Sequence, residues 1–331
     1  MSFIWMKKIF SAIGGSASGG KYKILKLILK LLVSAFFIWI VISKINWSES
    51  WQYLKRIEVW QILVYLAVIF LGLLISARKW QGLCRFKGLK NSFFDLFKLY
   101  LTGAFINNFV PSTIGGDIFR AYQVGKKEKR YLEASSTVVM DRFTGLLALM
   151  IMSPVFFLLN FQKISGIHIF IFSNLIILGA LASMFIFLKT KETALVKKIF
   201  GYFPKKAINF LRELASFGSN WKVFIKTMVY SLLFNLIGVG LANLVLFWSL
   251  GIKINFLDYF SAIFVISIVS SIPAGIGFKE WSYIAFFAPL GINISAVIMV
   301  AFLNRFLQGL VNIAAFPVYL RDRIKKTDIK L

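Results

Sequence analysis

The 331-residue chain is 59% hydrophobic and 17% aromatic, with 39 Lys and Arg against 13 Asp and Glu and a formal net charge of +26. That is more apolar surface than one soluble core holds, so an ordinary soluble domain is excluded; the bases cluster beside apolar runs, which points to an anionic membrane face and away from nucleic acid. One cysteine, Cys84, and one histidine, His168, exclude an internal disulfide, a thiolate metal cage and a Ser-His-Asp triad, so no metal, cofactor or catalytic residue is expected.

Residues 1–23 form a basic, glycine-containing tail, and the apolar stretch before Lys7 is too short for a cleaved signal. Six segments are long enough to cross a hydrocarbon layer ~30 Å thick: 24–43, 59–78, 132–158, 167–188, 226–250 and 294–319. Two further apolar segments, 92–125 and 256–290, are interrupted by Pro and Gly. Between the spans, 205–217 sets Ile208, Leu211 and Ala215 on one helical face, widened by Phe210, Leu214 and Phe217, as in an interfacial helix. Segment 48–58, near Trp47, Trp51 and Trp60, is its expected counterpart on the outer surface.

Charge placement orients these elements. Lys7, Lys8, Lys21, Lys23 and Lys26 put the N-terminus in the cytoplasm, and Arg78, Lys79, Arg85, Lys87 and Lys90 bring the second span back inside. The next cluster, Arg120, Lys126, Lys127, Lys129 and Arg130, would lie outside if 92–112 crossed fully. A hairpin that dips in and returns removes that conflict, and a second, from the opposite face, does the same for 256–290. The reading is an all-α polytopic membrane protein of about six full spans plus two re-entrant helical hairpins related as an inverted repeat. One membrane domain covers 24–320, with repeat one at about 92–158 and repeat two at about 256–319; a basic cytoplasmic tail, 321–331, follows. Both termini are cytoplasmic, in a bacterial or archaeal cytoplasmic membrane.

The two interrupted segments resemble each other. Asp95 matches Asp258, Arg142 matches Arg305 and Pro154-Val155 matches Pro317-Val318, each 163 positions on, while Pro111 and Pro273 differ by 162. In the first break, Pro111 ends a half-helix, and Ser112, Thr113, Gly115 and Gly116 offer hydroxyls and free amides. Asp117 is placed to cap the return helix. The second break, Pro273, Gly275 and Gly277, leads into Lys279 and Glu280. Helix N-termini pointing into the bilayer favour an anion. Arg142 and Arg305 lie mid-span, where unpaired charge is costly; Asp117, Asp141 and Glu280 are their candidate partners.

One reading is a polar cavity lined by both repeats, in which Arg142 and Arg305 hold a phosphate by bidentate contacts. Asp117 and Glu280 would answer a cationic headgroup or take a proton. The other is that Arg142 and Asp117 form an ion pair that only pins the hairpin. Asn107, Asn108, Asn304 and Gln308 serve either the cavity or bonds between helices. Asp95 and Asp258 are expected near the surface. No Gly-x4-Gly-Lys-Ser/Thr loop occurs at either glycine cluster.

Asn107, Pro111, Gly115, Gly116, Asp117 and Arg120, with the stretch Asp141, Arg142, Phe143 and Gly145, resemble the signature of the flippase-like membrane region of lysylphosphatidylglycerol synthases. Pro273, Gly275, Gly277 and Glu280 are similar to its second motif, and the resemblance covers about 24–320. It implies a multi-pass inner-membrane protein that moves lipids between leaflets. Full-length relatives carry a cytosolic domain that lysylates phosphatidylglycerol; this sequence stops at Leu331, so that chemistry is not expected. The expected partners are a membrane phospholipid, aminoacylated phosphatidylglycerol or another polar lipid, and the anionic inner leaflet. A homodimer and a separate lipid synthase are left open. The rival readings are a membrane-embedded lipid-modifying transferase and a non-transporting scaffold.

Overall fold

The computed structural model describes residue 32 and residues 36–109, 114–190, 205–272 and 277–313, excluding the side chains of 108, 109, 185, 187–190 and 205–207. Every regular element among them is helical. They run α1 (36–44), α2 (Trp47–Leu54), α3 (Val59–Phe86), α4 (Phe93–Phe109), α5 (Gly115–Glu128), α6 (Tyr131–Leu159), a short α7 (Phe161–Ile164), α8 (His168–Thr190), α9 (Lys205–Ser219), α10 (Trp221–Ser249), α11 (Phe256–Ser270), α12 (Phe278–Phe287) and α13 (Ile294–Ile313).

Four of these, α3, α6, α10 and α13, are long and apolar enough to cross a membrane. Their outward faces are apolar as well as their inward ones: Leu63, Leu158, Trp248 and Phe302 are exposed while Tyr65, Phe157, Phe247 and Val300 are buried. A helix apolar all round is suited to lipid on one side and protein on the other. Of the other expected spans, 167–188 corresponds to α8, and 24–43 falls largely outside the described residues. The second span runs past its expected end at 78 because Lys79 does not turn to solvent. It is buried against α6.

α4 and α5 pack as a hairpin. At its open end Asp95 Oδ2 meets Lys127 Nζ at 3.1 Å. Although partial burial opposes it, the Lys127 ammonium and the Ser92 hydroxyl hold the Asp95 carboxyl below the usual carboxylate range. Toward the break, Asn107 Oδ1 accepts the Gly116 amide at 2.7 Å. There the two backbones touch: a Cβ on Gly116 would lie 1.9 Å from the Gly103 carbonyl oxygen, so only glycine permits the approach. The far end of α5 abuts the start of α6, where a Cβ on Gly125 would lie 2.7 Å from the Tyr131 ring.

α11 and α12 form the second hairpin. The Tyr259 and Phe287 rings lie 6.1 Å apart at its open end. Asp258 is 4% exposed, contrary to the surface position expected from sequence, because Asn160 Nδ2 donates to it at 2.9 Å and Lys163 also pairs with it. Asn160 and Lys163 follow α6, so this hairpin is anchored at the end of α6 and the first hairpin at its start.

The helix bounds repeat. α4 and α11 begin at Phe93 and Phe256, α5 and α12 at Gly115 and Phe278, and α6 and α13 at Tyr131 and Ile294. α3 and α10 end at Phe86 and Ser249. Every pair is 163 residues apart. α3 and α10 run antiparallel: Trp60 packs on Trp248 at 4.9 Å, Gly72 crosses Gly238, and Lys79 Nζ reaches Ser231 Oγ at 3.3 Å. A π-helical turn, Asn235–Leu241, widens α10 at that crossing. The seams between repeats correspond too, with α6 packed on α11 and α13 on α4.

α9 lies against α6 and α10. Phe217 is buried beside Phe86, and Lys87 pairs with Glu213, while Leu211 stays exposed.

Candidate functional site

A cavity of about 340 Å³ opens between α3, the first hairpin, α6, α10 and the C-terminal half of α13. Its polar lining is Tyr100, Asn107, Asp117, Arg120, Arg142, Gln308 and Asn312. The sequence supplies this concentration by placing Asn107 one turn beyond Gly103 in the last turn of α4 and opening α5 with Gly115-Gly116-Asp117.

Asp117 does not cap α5. The helix begins at Gly115 after Ile114, which makes no side-chain cap. The carboxylate is engaged by arginines: Arg142 Nε donates to Oδ2 at 2.8 Å and Arg142 Nη2 to Oδ1 at 3.0 Å. Arg120 Nη2 donates to Oδ1 at 2.7 Å. Arg120 is buried with its guanidinium 4.7 Å from the Trp80 ring and 4.2 Å from the Tyr100 ring. Behind it, Asp141 meets Arg120 Nη1 at 3.4 Å and Lys79 Nζ at 2.9 Å. Lys79 also donates to the Asp141 carbonyl at 2.8 Å. Three cations, Lys79, Arg120 and Arg142, thus share two carboxylates, Asp117 and Asp141, leaving one positive charge in excess.

The second repeat carries a related cluster. Arg305 Nε meets Glu280 Oε1 at 2.7 Å, and Nη2 meets Oε2 at 3.1 Å. Glu280 Oε2 also accepts the Gly277 amide at 3.1 Å. Gly277 has φ +92° and lies under Phe37 and Ile38 of α1, where a Cβ would come within 3 Å of both. Asp117 to Arg142 and Glu280 to Arg305 are both separations of 25 residues, and the pairs correspond at 163. Where repeat one has Lys79, Arg120 and Asp141, repeat two has Ala242, Tyr283 and Asn304. Its network is accordingly uncharged: Asn304 Nδ2 donates to Asn243 Oδ1 at 2.9 Å and to the Tyr65 hydroxyl at 3.3 Å, and the Tyr283 hydroxyl donates to Asn243 Oδ1 at 2.6 Å. Lys279 is the exception, donating to Asn304 Oδ1 at 2.6 Å.

The structure therefore brings Asn107, Asp117, Arg120, Asp141 and Arg142 together, with Gly115 and Gly116 at the tip. It gathers Gly277, Lys279, Glu280, Asn304 and Arg305 into a second group. Arg305 and Glu280 are not among the cavity's lining residues, so the single pocket shared by both arginines, expected from sequence, is not the arrangement here. Each arginine has its own acid because each hairpin tip docks on the helix that follows it. Pro111, Ser112, Thr113, Pro273, Gly275 and the Asn108 side chain lie outside the described residues. Sequence reasoning missed Lys79, which looked like part of a cytoplasmic cluster with Arg78. It also missed Tyr65, Trp80, Tyr100, Asn243 and Tyr283, whose signal is an ordinary aromatic or amide in an apolar helix. Among the described residues no group of three or more metal-ligating side chains occurs.

Residues 27–315 match the family model described as the lysylphosphatidylglycerol synthase TM region. The chain belongs to this family. Proteins similar to it include a UPF0104 membrane protein of Methanocaldococcus jannaschii, 26% identical over 86% of this chain and 91% of that protein. A UPF0104 membrane protein of Pyrococcus horikoshii is 23% identical over 86% and 93%. No solved structure matches. All of the described helical unit falls within the matched family region, both hairpins and both acid–arginine pairs included.

Proposed function

We propose that this lysylphosphatidylglycerol synthase TM-region protein moves a phospholipid between leaflets. The headgroup occupies the cavity and the acyl chains stay in the bilayer. The observation that carries this reading is a cavity whose cationic cluster outnumbers its carboxylates by one. Asp117 and Arg142 join the tip of a hairpin to a point about midway along α6, which is long enough to span. Charges at that depth cost about 2.5–3.5 kcal/mol each on insertion scales, so a surplus one calls for an anionic ligand. Arginine forks suit a phosphodiester, and the family's name points to phosphatidylglycerol or its aminoacylated form.

In this reading both hairpins are re-entrant and the repeats are inverted. Support comes from the anchoring of the hairpins at opposite ends of α6 and from the antiparallel α3 and α10. Broken helices at membrane depth are tolerated where they line a cavity. The basic ends of α3, α5 and α9 face the anionic inner leaflet, with both termini cytoplasmic. The protein acts as a transporter and not as an enzyme.

The test is reconstitution of the full chain in liposomes carrying fluorescent phosphatidylglycerol. Transport moves label between leaflets with lipid mass unchanged. A change in lipid mass would instead mark a transferase, and neither effect would mark a scaffold; both outcomes overturn the proposal.

A further inference from the structure

We propose that Asp117 and Glu280 are internal stand-ins for the substrate's phosphodiester anion, and that the substrate displaces them and so releases each hairpin tip from its neighbouring helix. This rests on the transport reading and assigns the two acids a role opposite to that of headgroup receptors.

A carboxylate and a phosphodiester offer a guanidinium the same pair of oxygens. Asp117 fills both arms of the Arg142 fork, at 2.8 and 3.0 Å, and its Oδ1 also takes Arg120. Glu280 fills the Arg305 fork in the same way and adds the Gly277 amide, a tip backbone donor of the kind that binds anions. Both sites are occupied by the protein's own anion, at the same sequence spacing, in both repeats. The acids lie behind, with side chains 13% and 11% exposed, and the arginines face open space at 56% and 40%. An arriving anion meets the arginine first.

Arg120 stays in place during the exchange. Asp141 holds it from behind, and Trp80 and Tyr100 flank it. The mobile partner is then Asp117, in the first turn of α5, and its departure removes the ion pair closest to the tip. Substrate binding is thereby coupled to hairpin movement without another effector, since the ligand favours the released state by the contacts that Asp117 gives up.

The experiment measures binding of dihexanoyl phosphatidylglycerol, and separately of inorganic phosphate, to the purified full chain by calorimetry. Loss of the internal competitor in Asp117→Asn should tighten binding about tenfold, the worth of one charge-assisted contact. Glu280→Gln should shift binding in the same direction. Tightening with the short-chain lipid alone identifies a lipid headgroup, and tightening with both shows that phosphate chemistry suffices. Unchanged or weaker binding of both probes overturns the proposal. A second measurement uses the intact acid: Ile114→Cys at the tip, with the native Cys84 buried, should react faster with a thiol reagent when the lipid is added. No acceleration overturns the proposal, even if the Asp117 variant fails to fold. Lipid transport with neither effect leaves the transport reading standing, whereas both effects without transport remove that reading alone.

Discussion

Asp141→Asn and Lys79→Ala convert the charged centre of repeat one to the residues that repeat two carries at Asn304 and Ala242. Asp141 and Lys79 are 2% and 3% exposed. Removing the carboxylate alone strands Lys79 and leaves Arg120 with Asp117 only, which should cost about 3–5 kcal/mol, as for other broken buried pairs. Lys79→Ala alone leaves Asp141 with Arg120 at 3.4 Å and should cost about 3 kcal/mol, the lower end of that range. In the double variant neither charge remains unpaired. The packing of the lysine stem and the 3.4 Å contact of Asp141 with Arg120 are lost, so the cost should fall to about 2–3 kcal/mol. The implied coupling is about 3–6 kcal/mol, at or above the upper end of what contacting residues display. Equilibrium unfolding in mixed micelles, followed by tryptophan fluorescence, measures all four corners of the cycle. Additivity to within about 0.5 kcal/mol would refute the pairing argument.

Gly116→Ala should force α4 and α5 apart by more than an ångström, costing about 1–3 kcal/mol and abolishing transport; normal stability and transport would show that the tip contact is dispensable. Arg142→Ala or Arg305→Ala should stop lipid movement while the chain still elutes as a folded species, and full movement by the double variant would remove their role. Cysteines at Lys90 and Lys126 should both label from the cytoplasm, and cysteines at Lys253 and Pro289 both from outside. Labelling of either pair from opposite faces would turn that hairpin into a full crossing.

Much of this plan was legible in the sequence because its causes are local or periodic. Apolar length located α3, α6, α10 and α13, and one offset joined Arg142 to Arg305 and Asp95 to Asp258. What was not legible depends on which helices meet. Lys79 follows Arg78 in a run that counts as cytoplasmic charge, and only the crossing of α3 with α6 turns it onto Asp141. Asp258 read as a surface acid because Asn160 and Lys163, nearly a hundred residues earlier, fold over it. Asp117 had the place of a capping residue, yet two arginines compete for it more strongly than the helix amides do. That the cavity takes Gln308 and Asn312 from α13 but not Arg305 follows from the docking of each hairpin on its own next helix, which residue spacing alone does not reveal.

The most direct measurement is photo-crosslinking with a phosphatidylglycerol that bears a diazirine on its headgroup, in liposomes containing the full chain, with adducts mapped by mass spectrometry. The expected adducts fall on the cavity faces of α4, α5, α6 and α13, around Asn107, Arg120, Arg142 and Gln308, and excess unlabelled phosphatidylglycerol competes them away. Adducts confined to the basic helix ends and outer lipid-facing surfaces, with none on the cavity residues, would contradict a headgroup passing through the protein.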